Sequence, residues 1–128
     1  MDVIVLTGYS GAGKSVALKA LEDAGLVCMD NLPLGCLPHV VSHLASQLTQ
    51  LVLCVDTRTP DFDAESCLRL LAHLREEHVV RLCFLTAREQ VLMTRYNATK
   101  HRHPLYRDQG DSVQASLQRE TAMLEPIR

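Results

Sequence analysis

The sequence lacks the features that would mark a membrane protein or a disulfide-stabilised secreted protein. No apolar run approaches the ~20 residues of a membrane-spanning helix, and the chain starts on a strand-like run rather than on a signal peptide. Its five cysteines contain no C-x-x-C pair, which disfavours zinc and fits free thiols. We therefore expect a cytoplasmic protein without a membrane partner, in which Cys28, Cys54 and Cys83 pack as small hydrophobic side chains.

A strong charge of either sign is missing as well. The formal net charge is −2, so the chain has no general attraction to nucleic acid or to anionic membranes, and any such binding has to be local. The sequence also has no internal repeat, low-complexity segment or linker, and 128 residues is the length of one domain.

The sequence does contain short apolar runs that alternate with helical stretches. Four runs predict strands, over residues 3–6, 26–29, 51–55 and 81–85. This alternation is typical of an α/β domain with a mainly parallel sheet and helices on both of its faces. An open sheet of this kind usually has a further strand after its last helix, so we expect residues 1–128 to be a truncated domain that lacks its last strand.

Apolar spacing predicts the helices between and after these strands. The first opens at Ser15, and Asn31 is expected to cap a second, whose apolar stripe is Leu37, Val40, Val41, Leu44 and Leu48. Asp61 or Asp63 is expected to cap a third, which turns inward Cys67, Leu68, Leu71 and Leu74. A short helix over 89–95, a basic loop and a last helix over 112–124 follow, the last with one face formed by Val113, Leu117 and Leu124.

A complete phosphate-binding loop, G-x-x-x-x-G-K-[ST], follows the first predicted strand. Its residues are Gly8, Tyr9, Ser10, Gly11, Ala12, Gly13, Lys14 and Ser15. The glycines let backbone N–H groups turn towards phosphate oxygens, and the helix N-terminus adds further N–H groups and the positive end of its dipole. We expect Lys14 to reach the β- and γ-phosphates and the Ser15 hydroxyl to bind Mg²⁺. The motif predicts a P-loop NTPase domain that binds a nucleoside triphosphate with Mg²⁺.

Two aspartates compete for the role of the second Mg²⁺ ligand. Asp56 follows the third predicted strand, as a Walker-B aspartate does, and with Lys14 it is our candidate catalytic residue. The alternative for Asp56 is that it only begins a turn. Asp30 follows the second strand and is the rival carboxylate, unless it only caps the next helix.

The stretch from residue 95 to residue 107 is basic in an otherwise slightly acidic chain. Its lid candidates are Arg95, Lys100 and Arg102. In nucleoside-phosphate kinases such a lid closes over the transferring phosphate and excludes water; the alternative is a solvated basic loop. His39 and His43 have the i, i+4 spacing of metal ligands, but without a carboxylate companion we expect them to be surface histidines.

These motifs closely resemble those of the RapZ/YvcJ family of bacterial nucleotide-binding proteins, one of which is an RNase adaptor. The likeness spans the chain, through residues 7–23, 28–33, 56–59, 95–105 and 124–128. It implies a fold like that of small kinases, ATP at residues 8–15, weak ATP and GTP hydrolysis, and a guanine-nucleotide site at Asp56, Thr57, Arg58 and Thr59. It also implies a C-terminal domain, absent here, through which the adaptor presents a small regulatory RNA to an endonuclease.

Two positions depart from the family pattern. Lys100 and His101 stand where the lid motif usually has two arginines, so the planar fork that binds phosphate is lost there, although Arg102 follows. Thr59 replaces the usual serine and keeps its hydroxyl. We expect a slowly hydrolysing regulatory domain, with a small-molecule kinase that uses Asp30 to orient its acceptor hydroxyl as the alternative. A third interpretation is a non-catalytic domain that self-associates along its open sheet edge, as a homo-oligomer.

Overall fold

A computed structural model describes residues 1–9, 12–86 and 113–127. The elements, in chain order, are β1 (Asp2–Gly8), α1 (Lys14–Asp23), β2 (Val27–Asp30), α2 (Leu37–Leu44), β3 (Gln50–Cys54), α3 (Ala64–Arg75), β4 (Val79–Leu85) and α4 (Val113–Leu124). Short 3-10 turns precede α2 and follow α4, at Leu34–Cys36 and Glu125–Ile127. The alternation of strand and helix confirms the predicted α/β class.

The four strands form one parallel sheet in the order β2-β3-β1-β4. Val3 of β1 pairs with Leu51 of β3 on one side and with Val80 of β4 on the other, and Asp30 of β2 pairs with Cys54 of β3. Because all the strands run in the same direction, their carboxyl ends meet at one edge of the sheet.

Helices cover both faces of the sheet, which gives three layers. Alternate residues of β1 and β3 enter the larger core together with α2, α3 and the end of α4, through Val3, Val5, Leu51, Leu53, Leu37, Val41, Leu71, Leu74, Leu124 and Ile127. The residues between them face α1 and form a smaller core, made by Leu6, Leu18, Val52 and Cys54. The loops that follow β1 and β3 therefore lead to helices on opposite faces of the sheet, α1 and α3.

The entry to α2 differs from the prediction. Asn31 does not cap it; Asn31 adopts a left-handed backbone conformation with φ 63°. The carboxylate of Asp61 instead accepts hydrogen bonds from the N–H groups of Leu34, at 2.7 Å, and Gly35, at 3.3 Å. Asp63 caps α3, accepting the Ser66 N–H at 2.9 Å. The two aspartates that were alternatives for one cap thus bind different elements. Asp61 caps the 3-10 turn that precedes α2, and Asp63 caps α3.

Two predicted core positions also differ. Leu68 is 40% exposed, because it lies off the α3 stripe that the sheet buries. Cys83 is exposed, since β4 is an edge strand and only its alternate residues pack against the larger core. Leu48 lies beyond the end of α2 but still packs against the larger core. Within the described ranges, no helix is both long and apolar enough to span a membrane.

Candidate functional site

Two glycines shape the chain where β1 passes into α1. Gly8 has φ +143°, and a Cβ there would collide with the backbone carbonyl of Leu85 on the neighbouring β4. The Tyr9 N–H donates to that same carbonyl at 3.2 Å, which holds the start of the loop against β4. Gly13 forms the N-cap of α1 with φ +101°, a backbone conformation that residues other than glycine rarely adopt.

Lys14 is buried at the first turn of α1 and is held by backbone carbonyls. Its Nζ donates to the carbonyl oxygens of Gly8, at 2.8 Å, and Tyr9, at 2.9 Å, and the residue is only 5% exposed. The same Nζ lies 3.7 Å from Oδ2 of Asp56. Burial lowers the pKa of Lys14, and the charges of Asp56 and Glu120 oppose that effect. A buried ammonium group therefore lies at the carboxyl end of the sheet, beside the carboxylate of Asp56.

Asp56 lies just beyond the end of β3, is 2% exposed, and is held mainly by Arg58. Its Oδ1 accepts the Arg58 N–H at 2.9 Å, and its Oδ2 accepts the guanidinium Nη2 at 3.0 Å. The hydrogen bond to Asp56 raises the pKa of Arg58. The backbone N–H of Asp56 donates to the hydroxyl of Thr59 at 3.0 Å, which closes a tight turn over residues 56–59.

A second buried carboxylate reaches this turn from α4. Oε2 of Glu120 accepts a hydrogen bond from the Thr57 hydroxyl at 2.8 Å, and Glu120 is 0% exposed. We call Lys14, Asp56, Thr57, Arg58 and Glu120 the strand-end cluster. Sequence reasoning missed Glu120, although its spacing places an acidic residue on the apolar stripe of Leu117 and Leu124.

Asp30 also lies at the carboxyl edge of the sheet, but in a different environment. It is exposed, and its Oδ1 accepts the N–H of Asn31 at 2.8 Å. Its charge nevertheless reaches the neighbouring strand: burial, then Asp30 and Asp56, raise the pKa of the Cys54 thiol to about 12. The ends of β1, β2 and β3 thus contribute to one electrostatic environment, and Asp56 is the carboxylate buried beside Lys14.

The side-chain oxygen atoms at this edge of the sheet are of the type that binds Mg²⁺. Ser15 is exposed in the first turn of α1, and Asp56 offers a carboxylate with acceptor capacity beyond its bonds to Arg58. A hydroxyl and a carboxylate are hard oxygen ligands of the kind that Mg²⁺ takes together with phosphate and water. In the part of the chain that the structure describes, no three His, Cys, Asp or Glu side chains form a metal-binding group.

The other predicted site residues divide into two groups. Ala12 is described, and its N–H donates to the carbonyl of Tyr9 at 3.0 Å. Ser10 and Gly11 lie outside the described residues, as do the lid candidates Arg95, Lys100 and Arg102 and the predicted helix over 89–95. His39 and His43 are exposed, as expected, with nearly parallel rings whose centroids are 6.3 Å apart. The ligand-binding roles of these loop residues and of the lid candidates stay predictions.

Solved structures with a similar backbone define the class of fold. A gluconokinase from Sinorhizobium meliloti 1021 matches with a TM-score of 0.59 and 20% identity, over 95% of this chain and 74% of that one. A shikimate kinase from Acinetobacter baumannii matches with a TM-score of 0.60 and 16% identity, over 98% of this chain and 76% of that one. At such identities the likeness concerns the fold alone, and the domain has the fold of the small P-loop kinases.

Sequence comparison then gives the family. The family described as RapZ-like N-terminal domain matches residues 1–128, and the chain belongs to it. Its relatives include a nucleotide-binding protein of Ralstonia nicotianae, 41% identical over 99% of this chain, and the RNase adapter protein RapZ of Hamiltonella defensa, 38% identical over 100% of it. The chain spans 45% of the length of each of these relatives.

Proposed function

We propose that this chain is the nucleotide-binding domain of a regulatory protein. It takes the phosphates of ATP or GTP together with Mg²⁺, hydrolyses the nucleotide slowly, and communicates its occupancy to a partner. The observation that carries the proposal is the buried Lys14 ammonium at the start of α1, 3.7 Å from the carboxylate of Asp56. The names of the relatives, nucleotide-binding protein and RNase adapter protein, support the same conclusion.

The charges of the cluster suit a polyphosphate. Nζ of Lys14 donates to two backbone carbonyls and lies near one carboxylate. These contacts fix the position of its positive charge at the carboxyl end of the sheet. The N-terminus of α1 adds N–H groups that have no partner within the helix itself, and Gly13 supplies no side-chain cap for them. Both features attract negative charge to the same place.

Mg²⁺ would be held by Ser15 and Asp56, and it would neutralise phosphate charge there. The donor chemistry supports this assignment. The guanidinium of Arg58 already contacts Oδ2 of Asp56, so a cation at that oxygen competes with Arg58. Displaced from Asp56, the guanidinium is free to bind phosphate, for which its planar fork is suited.

The segment Asp56, Thr57, Arg58 and Thr59 is our proposed guanine-nucleotide contact, and its members differ in access. Asp56 and Thr59 are buried, and Thr57 donates its hydroxyl to Glu120. The Arg58 side chain is 50% exposed. We therefore assign the direct contact with nucleotide to Arg58 and the shaping of the turn to the other three.

Calorimetric titration with ATP and with GTP, each with Mg²⁺, tests the proposal. We expect micromolar binding of at least one nucleotide and slow release of phosphate in a hydrolysis assay. The ratio of the two dissociation constants gives the base preference. A folded chain that binds neither nucleotide contradicts the proposal for this domain.

A second candidate, a small-molecule kinase, is favoured by the position of Asp30. The aspartate is exposed at the end of β2, and its charge contributes to the raised pKa of Arg58. A carboxylate there could orient the acceptor hydroxyl of a small substrate. Rapid ATP turnover that depends on one small hydroxyl compound would establish the kinase, whereas slow turnover unaffected by such compounds supports the regulatory domain.

We also propose the partners and the compartment. The RNase adapter name of a relative supports an RNA or a nuclease as the partner that reads nucleotide occupancy. All five cysteines are free thiols, which is typical of a reducing compartment such as the cytoplasm. Pull-down of RNA and nuclease by the longer protein, with Lys14→Ala as control, would test whether partner binding depends on the nucleotide.

A further inference from the structure

Glu120 is a buried carboxylate that no sequence motif explains. It lies on α4, is 0% exposed, and accepts a hydrogen bond from the Thr57 hydroxyl at 2.8 Å. Burying an ionised carboxylate costs free energy unless the group is hydrogen-bonded or paired, so an acidic residue in a core usually serves a specific purpose. The bond to Thr57 identifies what Glu120 holds.

The helix that carries Glu120 is anchored in the larger core. Leu124 and Ile127 follow it by about one and two turns, are 0% and 3% exposed, and belong to the same buried cluster as Val3 and Leu51. The turn over residues 56–59 is anchored differently, mainly by bonds among its own residues. Glu120 therefore supplies a contact from a fixed helix to a segment that otherwise holds itself together.

The residue that Glu120 contacts lies at the centre of the strand-end cluster. Thr57 is directly between Asp56, which lies beside Lys14, and Arg58, which is paired with Asp56. A change in the backbone at Thr57 would move both neighbours, because adjacent Cα atoms are linked by rigid, planar peptide bonds. The position of Asp56 thus depends on what fixes Thr57.

We propose that Glu120 is a positioning residue of the nucleotide site: its hydrogen bond to Thr57 fixes the turn so that the Asp56 carboxylate stays beside Lys14. Glu120 acts through Thr57 and does not itself touch the ligand. The inference rests on the proposed function, since it concerns the geometry in which Asp56 meets a magnesium–nucleotide complex.

Two substitutions separate the hydrogen bond to Thr57 from the charge of Glu120. Glu120→Gln removes the charge but keeps a side-chain oxygen that can accept the Thr57 hydroxyl, whereas Glu120→Leu removes the acceptor as well. If the hydrogen bond positions the turn, Glu120→Leu should weaken binding of the magnesium complex more than Glu120→Gln does.

A purely structural role makes a different prediction. If Glu120 only fastened α4 to the end of β3, breaking the bond would lower the melting temperature without changing the dependence of binding on Mg²⁺. If it positions Asp56, the loss appears mainly in binding of the magnesium complex, because Asp56 is the proposed Mg²⁺ ligand. Binding of ATP measured with and without Mg²⁺ separates the two roles.

The test is a double-mutant cycle on Thr57→Val and Glu120→Leu, both of which remove the hydrogen bond, with calorimetric titration of ATP in Mg²⁺ and in EDTA. Because a hydrogen bond to a charged group is lost, we expect Thr57→Val to weaken magnesium–ATP binding by about fivefold to tenfold. We expect binding in EDTA to change by less than about twofold. The double variant should bind about as weakly as the weaker single one, since both changes break the same bond. Thr57→Ser keeps the hydroxyl and should restore binding.

A matched core variant completes the experiment. Val41→Ala removes buried volume on α2, in the same core but outside the strand-end cluster, so it lowers the melting temperature and leaves both dissociation constants unchanged. If Thr57→Val and Glu120→Leu behave like Val41→Ala, the positioning role is wrong while the proposed function stands. If the folded wild-type chain binds no nucleotide, the proposed function is wrong and the positioning role falls with it.

Discussion

Asp56 and Asp30 end neighbouring strands of the sheet but meet different surroundings. Asp56 is 2% exposed, paired with Arg58 at 3.0 Å and near Lys14 at 3.7 Å. Asp30 is exposed, and its Oδ1 accepts a hydrogen bond from the backbone N–H of the next residue, Asn31. The difference follows from strand order: β3 lies beside β1, which leads into α1 and Lys14, and β2 lies one strand further away. Two aspartates at similar places in the sequence pattern thus differ in burial and in charged partners because their strands occupy different places in the sheet.

Removing Lys14 should have the largest effect, because it abolishes the charge that distinguishes the two strand ends. We expect Lys14→Ala to weaken binding of ATP by at least tenfold, which corresponds to about 1.4 kcal/mol. The measurement is calorimetric titration in the presence of Mg²⁺. Lys19→Ala, an exposed lysine of the same helix, is the matched control and should bind as the wild type does. Equal affinities in the two variants would contradict the assignment of the loop.

Exchanging the carboxylates tests the comparison directly. We expect Asp56→Asn to reduce the gain in affinity that Mg²⁺ provides by about tenfold, because a hard oxygen ligand is lost. Asp30→Asn should change that gain by less than about twofold. The measurement is the ratio of dissociation constants in Mg²⁺ and in EDTA for each variant. The opposite order of effects would make Asp30 the metal ligand.

Arg58 offers a smaller effect, since its side chain is half exposed and its pair with Asp56 is screened by solvent. We expect Arg58→Gln to weaken nucleotide binding by about threefold. Arg58→Lys should have an affinity between those of Arg58→Gln and the wild type, because lysine keeps the charge and loses the planar fork. Titration with ATP and GTP checks whether the loss depends on the base. Tighter binding by Arg58→Gln would show that the pair with Asp56 obstructs the ligand instead of serving it.

The smallest effect concerns Cys54, which lies beside both carboxylates in the sheet. Its pKa is raised to about 12, first by burial and then by Asp30 and Asp56, so the thiol stays neutral and unreactive at pH 9. Iodoacetamide should modify the exposed Cys36 and Cys83 first and Cys54 only on unfolding. Because burial is the main cause, Asp30→Asn should leave this order unchanged. Early modification of Cys54 in the native protein would contradict the packing of β3.

The same shift predicts how Cys54 contributes to stability at high pH. Its pKa in the folded chain exceeds the unfolded value near 9.0, so the native state binds the proton more tightly. This contribution is complete below pH 9 and is lost as the pH rises from there towards about 12. The contribution of Cys54 is measured by comparing the melting temperatures of the wild type and Cys54→Ala at pH 8 and at pH 10.5.

Much of the fold could be predicted from local patterns. The four apolar runs coincide with the four strands, and the glycine loop lies between β1 and α1. Both predictions succeeded because strand length, loop glycines and helix periodicity each depend on only a few consecutive residues. The predictions that were wrong concern residues whose surroundings depend on parts of the chain that are distant in sequence. Asp61 replaces Asn31 in capping the entry to α2 from 27 positions away, and Cys83 is exposed because β4 is an edge strand.

The site divides in the same way. By itself, the sequence determined that a glycine-rich motif lies between a strand and a helix, because the motif and its context are contiguous. Only the tertiary structure decided which aspartate lies beside Lys14, and only it brought Glu120 to Thr57 across 63 positions of the chain. The physical reason is that strand order and helix packing fix these distances, and both arise from burying apolar faces shared by the whole domain.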